Sequence, residues 1–142
     1  MTASSPIVTF LNMTKLPKSW GETPMHLAVR QSQIEVCKAV GAEVCECHLG
    51  EKVGVSQSAL DGEIPLNGLR HREENGTTGW YIWGSQQFSE DEGFFKPLHT
   101  AHLETKCTLA LKFLSLPPGW RFLTDGIYED VWFDAKLLAR DQ

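Results

Sequence analysis

The feature that most constrains this chain is a hairpin signal near its C-terminus. Two β-prone segments, residues 120–124 and 127–133, flank the dipeptide Asp125-Gly126. Asp-Gly between two such segments is typical of a type I′ turn, which joins neighbouring antiparallel strands. We therefore expect an antiparallel sheet that contains this C-terminal β-hairpin.

A first helix is predicted over residues 32–40. Ser32 and Glu35 have the spacing of a capping box, in which a hydroxyl and a carboxylate each bond a backbone N–H at a helix start. Gly41 is the residue type that commonly ends a helix in the left-handed conformation. Residues 1–30 are expected to be irregular apart from a short strand over residues 7–11, because three prolines interrupt this part of the chain: Pro6, Pro17 and Pro24.

A second, longer helix is predicted from Thr100 to about residue 114. Apolar residues repeat there at intervals of four, four and three, which places them on one helix face: Leu103, Cys107, Leu111 and Leu114. Ser89 and Glu92 form another capping box and predict a short helical turn. A last short helix is expected over residues 134–140.

The remaining segments predict strands and one long loop. Residues 42–47 and 52–56 are expected to pair with each other across a turn, and residues 79–83 are large, β-prone and expected to be buried. Residues 58–78 are predicted to be mostly loop because they are rich in turn signals: Gly62, Pro65, Asn67-Gly68 and Asn75-Gly76.

Helices interleaved with hairpins predict an α+β fold, with a mainly antiparallel sheet packed by two to three helices. A chain of 142 residues has the length of one ordinary domain, so residues 1–142 are expected to form a single domain. No apolar run is long enough for a membrane span, and the N-terminus lacks the basic region of a secretory signal. A cytoplasmic location is the expectation.

The charge of the chain argues against nucleic acid as a partner. The formal net charge is −5, and residues 72–142 hold 11 acidic against 7 basic side chains. An acidic surface repels phosphate backbones, whereas it attracts a basic protein. The same charge also serves simply to keep a protein in solution.

Two groups of carboxylates are candidates for a partner-binding surface: Glu90, Asp91 and Glu92, and Asp125, Glu129 and Asp130. The first group precedes Phe94, and the second lies on the predicted hairpin. Either group can dock a basic partner. The alternatives are ordinary ones, namely a favourable charge at a helix start and a solvated strand edge.

Signatures of catalysis are missing from the sequence. No phosphate-binding glycine motif, nucleophile elbow or zinc-protease motif occurs, so an enzyme is not expected, and neither is a cofactor. An alternative function, a small enzyme or ligand-binding domain, would use a pocket built from Arg70, His99 and His102 together with carboxylates. Cys45, Cys47 and His48 stand too close together for usual zinc spacing, so no metal site is predicted.

Five segments, in this order, resemble a known bacterial family: residues 65–70, 79–83, 94–99, 116–123 and 128–134. The family is the thirty-third immunity family of polymorphic toxin systems, first described as a domain of unknown function. The resemblance spans about residues 31–138. It implies a cytoplasmic antidote that binds a cognate toxin domain and blocks its active site or substrate groove. It assigns no catalytic residues.

Overall fold

The computed structural model describes residues 23–85 and 88–139, so the strand predicted over residues 7–11 lies outside the described residues. The helices are α1 (Pro24–Val40), α2 (Gln57–Leu60) and α3 (Leu103–Lys106), with 3₁₀ turns at Thr100–His102, Thr108–Phe113 and Ala135–Leu138. The strands are β1 (Lys52–Ser56), β2 (Leu66–Arg70), β3 (Thr77–Gly84), β4 (Phe95–His99), β5 (Trp120–Thr124) and β6 (Glu129–Phe133). Across these residues, no helix combines the length and the apolar character that a membrane span requires.

In the described part of the chain, six strands form one sheet in the order β4-β1-β3-β2-β5-β6. β1 runs parallel to β3, and every other neighbouring pair is antiparallel. The prediction of an α+β fold with a mainly antiparallel sheet is therefore confirmed. β4 and β6 form the two edges.

Alternate residues of each strand face opposite sides of this sheet. On the first face, Val55 lies beside Ile82, and Gly68 lies between Ile82 and Phe122. α1 and residues 103–116 cover this face, and together they form the main core. Its largest fully buried apolar side chains are Trp80, Phe113, Phe122, Leu49, Ile82, Leu103, Leu114 and Leu116.

The first helix begins earlier than predicted. α1 starts at Pro24, and the side chain of Thr23 accepts the backbone N–H of His26. Proline fits the first helical position because the N–H that it lacks would have no intrahelical partner there. The predicted capping box is therefore wrong, since Ser32 lies mid-helix and donates its hydroxyl to the Ala28 carbonyl. The predicted end is confirmed, with Gly41 at φ 74°.

The pairing predicted for residues 42–47 is wrong. This segment forms no strand, and the N–H of Cys45 instead donates to the Ser115 carbonyl at 2.7 Å. Residues 52–56 do form a strand, β1, but its partners are β3 and β4. The strand predicted over residues 52–56 is therefore confirmed, whereas its predicted partner is wrong.

Residues 58–78 are not mostly loop. They contain β2, which lies between β3 and β5 near the middle of the sheet. The predicted turn at Asn67-Gly68 is wrong because Gly68 is a buried strand residue. Gly62 and Gly76 do lie in turns, with φ angles of 82° and 71°.

The long helix predicted from Thr100 is broken into three short pieces. The break is at Cys107, whose backbone has φ −155° and ψ 63°. The predicted apolar face is nevertheless buried, with Leu103, Leu111 and Leu114 each at most 5% exposed. The helical turn predicted from Ser89 is not formed, because the Ser89 hydroxyl accepts the Asp91 N–H in a non-helical bend.

The C-terminal hairpin is confirmed as β5 and β6. Its turn differs from the prediction, since a type I′ turn needs two residues with positive φ and only Gly126 has one, at 99°. Residues 125–128 form a longer connection. The last predicted helix is a single 3₁₀ turn, Ala135–Leu138, capped by Asp134.

Candidate functional site

Three connections emerge at the same end of the sheet. The pairing makes β1, β3 and β5 run in one direction and β2, β4 and β6 in the other. The connections from β1 to β2, from β3 to β4 and from β5 to β6 therefore all lie at one end of the sheet, which we call the loop end; their described residues are 57–65, 85, 88–94 and 125–128. Both predicted groups of carboxylates lie there.

The first predicted group, Glu90, Asp91 and Glu92, is exposed in the connection between β3 and β4. Asp125 is exposed in the hairpin connection, and Glu129 and Asp130 begin β6. β3 and β5 stand two strand spacings apart, about 10 Å. The fold thus brings residues separated by more than thirty sequence positions to one surface. Two further exposed carboxylates lie at the loop end: Asp61 and Glu63.

The hairpin carboxylates differ in what they contact. The Asp125 carboxylate accepts the N–H groups of Ile127 at 2.9 Å and Tyr128 at 2.8 Å, and these bonds lower its pKa. Glu129 pairs with Lys112 at 2.6 Å. Ile127, at the tip between them, is 95% exposed. Asp125 therefore shapes the turn, and the turn presents an apolar side chain among carboxylates.

A cluster of aromatic rings lies on the second face of the sheet, opposite the main core. Phe95 is its centre, with ring centroids 5.1 Å from Tyr81, 6.2 Å from Trp83 and 5.7 Å from Phe88. Phe94 packs edge-on against Phe95 at 4.8 Å. We call these five residues the second-face cluster. Tyr81 is 37% and Phe88 44% exposed, so the cluster reaches the surface.

Beside this cluster is a cleft of about 220 Å³. It is lined by Tyr81 and Phe95, which we call its floor, by Glu90 and Asp91, which we call its wall, and by His71. The acidic loop and the aromatic surface therefore belong to one concave feature. Sequence reasoning missed this cleft, because it assigned the aromatic segments to the core and treated Glu90 and Asp91 as purely electrostatic.

Arg70 is placed where no ligand can reach it. Its side chain is fully buried, and it donates to backbone carbonyls of Thr78, Cys45, Leu114 and Leu116 at 2.8–3.2 Å. It also forms an ion pair with Glu73 at 2.7 Å, and its guanidinium lies 5.7 Å from the centre of the Trp80 ring. Arg70 is therefore a structural cation of the core.

His99 and His102 are near neighbours, with ring centroids 6.1 Å apart, and both are exposed. The buried Arg70 does not join them at a surface. The converging pocket of the alternative function, with all three residues lining one cavity, is therefore not assembled.

The cysteine cluster is spread between the interior and the surface. Cys47 is fully buried, Cys45 is half-buried and His48 is exposed. Burial raises the pKa of Cys47 to about 11, which disfavours the thiolate that a metal requires. Within residues 23–85 and 88–139, no group of three or more His, Cys, Asp or Glu side chains is arranged to hold a metal ion.

Comparison with known proteins supplies one match. Searches of the curated proteins and of the solved structures find no similar protein. A family model, the Imm33-like domain, matches residues 32–134, from the middle of α1 to the end of β6. The matched region includes all six strands and both groups of loop-end carboxylates. The chain thus belongs to the Imm33-like family.

Proposed function

We propose that this protein is a cytoplasmic immunity protein that binds a cognate bacterial toxin domain and blocks its active site or substrate groove. The observation that carries the proposal is the Imm33-like match over residues 32–134. An immunity-type family points to a protein as the partner. Neutralisation by binding then requires a surface for docking.

The loop end supports this function through its charge. Carboxylates from three separate connections stand there together, and several are exposed. Such a surface speeds encounter with a basic partner, because complementary fields steer diffusion toward the correct face. A toxin that handles nucleic acid has such a basic face.

The loop end also offers apolar anchors. Binding energy usually comes from a few large side chains surrounded by polar groups. Ile127 and Tyr128, 95% and 57% exposed, project from the hairpin tip beside Asp125 and Glu129. The proposed docking surface therefore joins charge for steering with apolar area for affinity. The enzyme alternative is not favoured, since its proposed residues do not converge.

Survival under toxin expression tests the function directly. The C-terminal toxin domain of a polymorphic toxin from the same genome is expressed in bacteria with and without this chain, and the two purified proteins are mixed in a calorimeter. We expect survival only with the chain present, together with a stoichiometric complex. Death in both cultures, without heat of binding, would contradict the proposal.

Charge reversal tests the docking surface. One variant carries Glu90→Lys, Asp91→Lys and Glu92→Lys, and a second carries Glu129→Lys and Asp130→Lys; Asp125 is retained because it holds the turn. Each should weaken toxin affinity by about tenfold or more. Glu43→Lys, at an exposed carboxylate outside both groups, is the matched control. If neither set changes the affinity, the loop end is not the docking surface.

A further inference from the structure

We infer that the cleft beside the second-face cluster binds an arginine side chain of the partner protein. The inference rests on the proposed function for the identity of that partner as a protein. It goes further by naming the site and the chemical group. The argument uses the floor of the cleft, its wall and its surroundings.

The floor is suited to a flat cation. Tyr81 lies across Gly54 of β1, where a Cβ would come within 2.8 Å of the tyrosine ring, so glycine lets the ring lie close to the sheet. Tyr81 and Phe95 meet edge to face, with an interplanar angle of 73°. Tyr81 is exposed and Phe95 half-buried, and an aromatic ring attracts a cation placed within about 6 Å of its centre. Arginine is favoured because its planar guanidinium also stacks on rings.

The wall supplies the opposite charge. Glu90 and Asp91 are exposed carboxylates on the loop that borders the cleft. The loop is held by two bonds, from the Asp91 N–H to the Ser89 hydroxyl at 3.0 Å and from the Phe94 N–H to the Asp91 carbonyl at 3.1 Å. A carboxylate can take two parallel bonds from a guanidinium. Aromatic floor and acidic wall together select a cation over a neutral or anionic group.

The charges around Tyr81 indicate which of two neighbouring depressions would bind the cation. A second depression, of about 230 Å³, is also lined by Tyr81 and Phe95, and Lys52 is part of its lining. A guanidinium there would meet a like charge. The Glu90 and Asp91 side of Tyr81 is therefore the arginine site.

A peptide titration tests the site without any toxin. The ¹⁵N-labelled full chain is titrated with capped Gly-Arg-Gly and, separately, with the same peptide carrying citrulline, a neutral isostere of arginine. We expect saturable amide shifts confined to the cleft residues Tyr81, Phe88, Glu90, Asp91 and Phe95, with at least tenfold weaker binding of the citrulline peptide. Equal binding of both peptides, or shifts that do not saturate, would overturn the inference.

Two variants check the chemistry. Glu90→Gln with Asp91→Asn removes the charge of the wall, and Tyr81→Leu removes a ring of the floor. Each should weaken both peptide binding and toxin affinity about tenfold, while Glu43→Gln should leave both unchanged. The double variant changes only exposed side chains, so it decides the question if Tyr81→Leu fails to fold. Unaltered peptide affinity in the double variant would overturn the site.

Other occupants give distinct signatures. If Lys15→Gln with Lys18→Gln in the full chain shifts the cleft amides before any peptide is added, the chain's own N-terminal segment fills the cleft. If those amides shift on dilution, a second copy fills it. Either result would overturn the inference. If the protein neutralises the toxin but binds no arginine peptide, the arginine site is refuted and the proposed function stands. If it binds the arginine peptide but does not neutralise the toxin, the proposed function is refuted and the arginine site stands.

Discussion

At the scale of single residues, Arg70 organises the interior. Its guanidinium joins β2 to β3 through Thr78, to the 42–51 connection through Cys45, and to residues 114–116 through two carbonyls. Those carbonyls need donors because they lie away from water and belong partly to backbone outside the sheet. A single guanidinium thus donates hydrogen bonds to backbone carbonyls of segments that are not part of a β-sheet.

Replacing Arg70 tests this role. Arg70→Met keeps an apolar stem but leaves several buried carbonyls without a donor, and each such group costs about 1–3 kcal/mol. We expect the free energy of unfolding in urea to fall by about 3 kcal/mol or more. Arg72→Met is the matched control, since Arg72 is exposed and its side chain donates to the Leu138 carbonyl at 3.3 Å. Equal losses in both variants would refute the organising role.

Buried thiols make stability depend on alkaline pH. Burial raises the pKa of Cys47 and of Cys107 from 9.0 to about 11. The unfolded chain therefore releases these protons first, and the free energy of unfolding falls as pH rises from about 9 to about 11. Urea unfolding under reducing conditions at pH 7.5 and 10.5 should show a loss of about 1–2 kcal/mol per thiol. The variant Cys47→Ala with Cys107→Ala should lose less between these pH values; an identical loss would contradict the assignment.

At the scale of elements, β2 shows how packing selects a strand where local signals favour a turn. Phe122 of β5 lies over Gly68, and its ring stacks on Phe113 with centroids 4.3 Å apart and planes inclined by 10°. Only a residue without a side chain leaves room for that ring. Gly68, which looks like a turn residue in the sequence, is therefore a strand residue on which the Phe122 ring packs.

Gly68→Ala is the corresponding prediction. A Cβ at this position would collide with the Phe122 ring, so the stack must shift or the strand must move. We expect a loss of about 1–3 kcal/mol in the free energy of unfolding. Gly50→Ala is the control, because a Cβ there meets no atom within 4 Å. A Gly68→Ala protein as stable as this control would show that the stack adapts freely.

At the scale of the whole molecule, the exposed carboxylates of three strand connections lie at the same end of the sheet, the loop end. The net charge is −5, and carboxylates of three connections share the loop end. A directed field of this kind acts mainly on association, because it operates before contact is made. The sheet edges are protected separately, since β4 carries Lys96 and Pro97 and β6 begins with Glu129 and Asp130.

Salt dependence tests the directed field. Raising sodium chloride from 50 to 300 mM shortens the screening length, so the association rate with the cognate toxin should fall by about tenfold. The dissociation rate should change much less, because short contacts are screened weakly. Both rates are measured by surface plasmon resonance, with the Glu90–Glu92 charge-reversal variant as control. An association rate independent of salt would contradict steering by the loop end.

Local signals predicted part of this architecture. The hairpin around Asp125-Gly126 and the helix end at Gly41 follow from backbone preferences that a few adjacent residues determine. The start of α1 was missed because Thr23-Pro24 lies in a region that the prolines made look irregular. β2 was missed because its strand character comes from burial between β3 and β5, which the sequence of residues 66–70 does not reveal.

Part of the candidate site could likewise be predicted from the sequence, and part could not. The carboxylates could be named from charge alone, yet their common position depends on strand directions across the sheet. The cleft was not predictable, because Tyr81, Phe95 and His71 belong to different segments of the chain. They come into contact only through the register of the sheet and the path of the neighbouring loop. Arg70 was misplaced because an arginine without visible partners in the sequence resembles a ligand-binding residue.

The arrangement of the connections has a consequence for how the surface of this protein can change. Exposed side chains of the loop end, such as Asp61, Glu63 and Ile127, can be replaced without touching the interior that Arg70 organises. Ser58 and Ala59 are instead buried against the sheet, and Asp125 holds the hairpin turn. Under the proposed function, new side chains at these exposed positions would change which partner is recognised, while the sheet and its core keep the same fold.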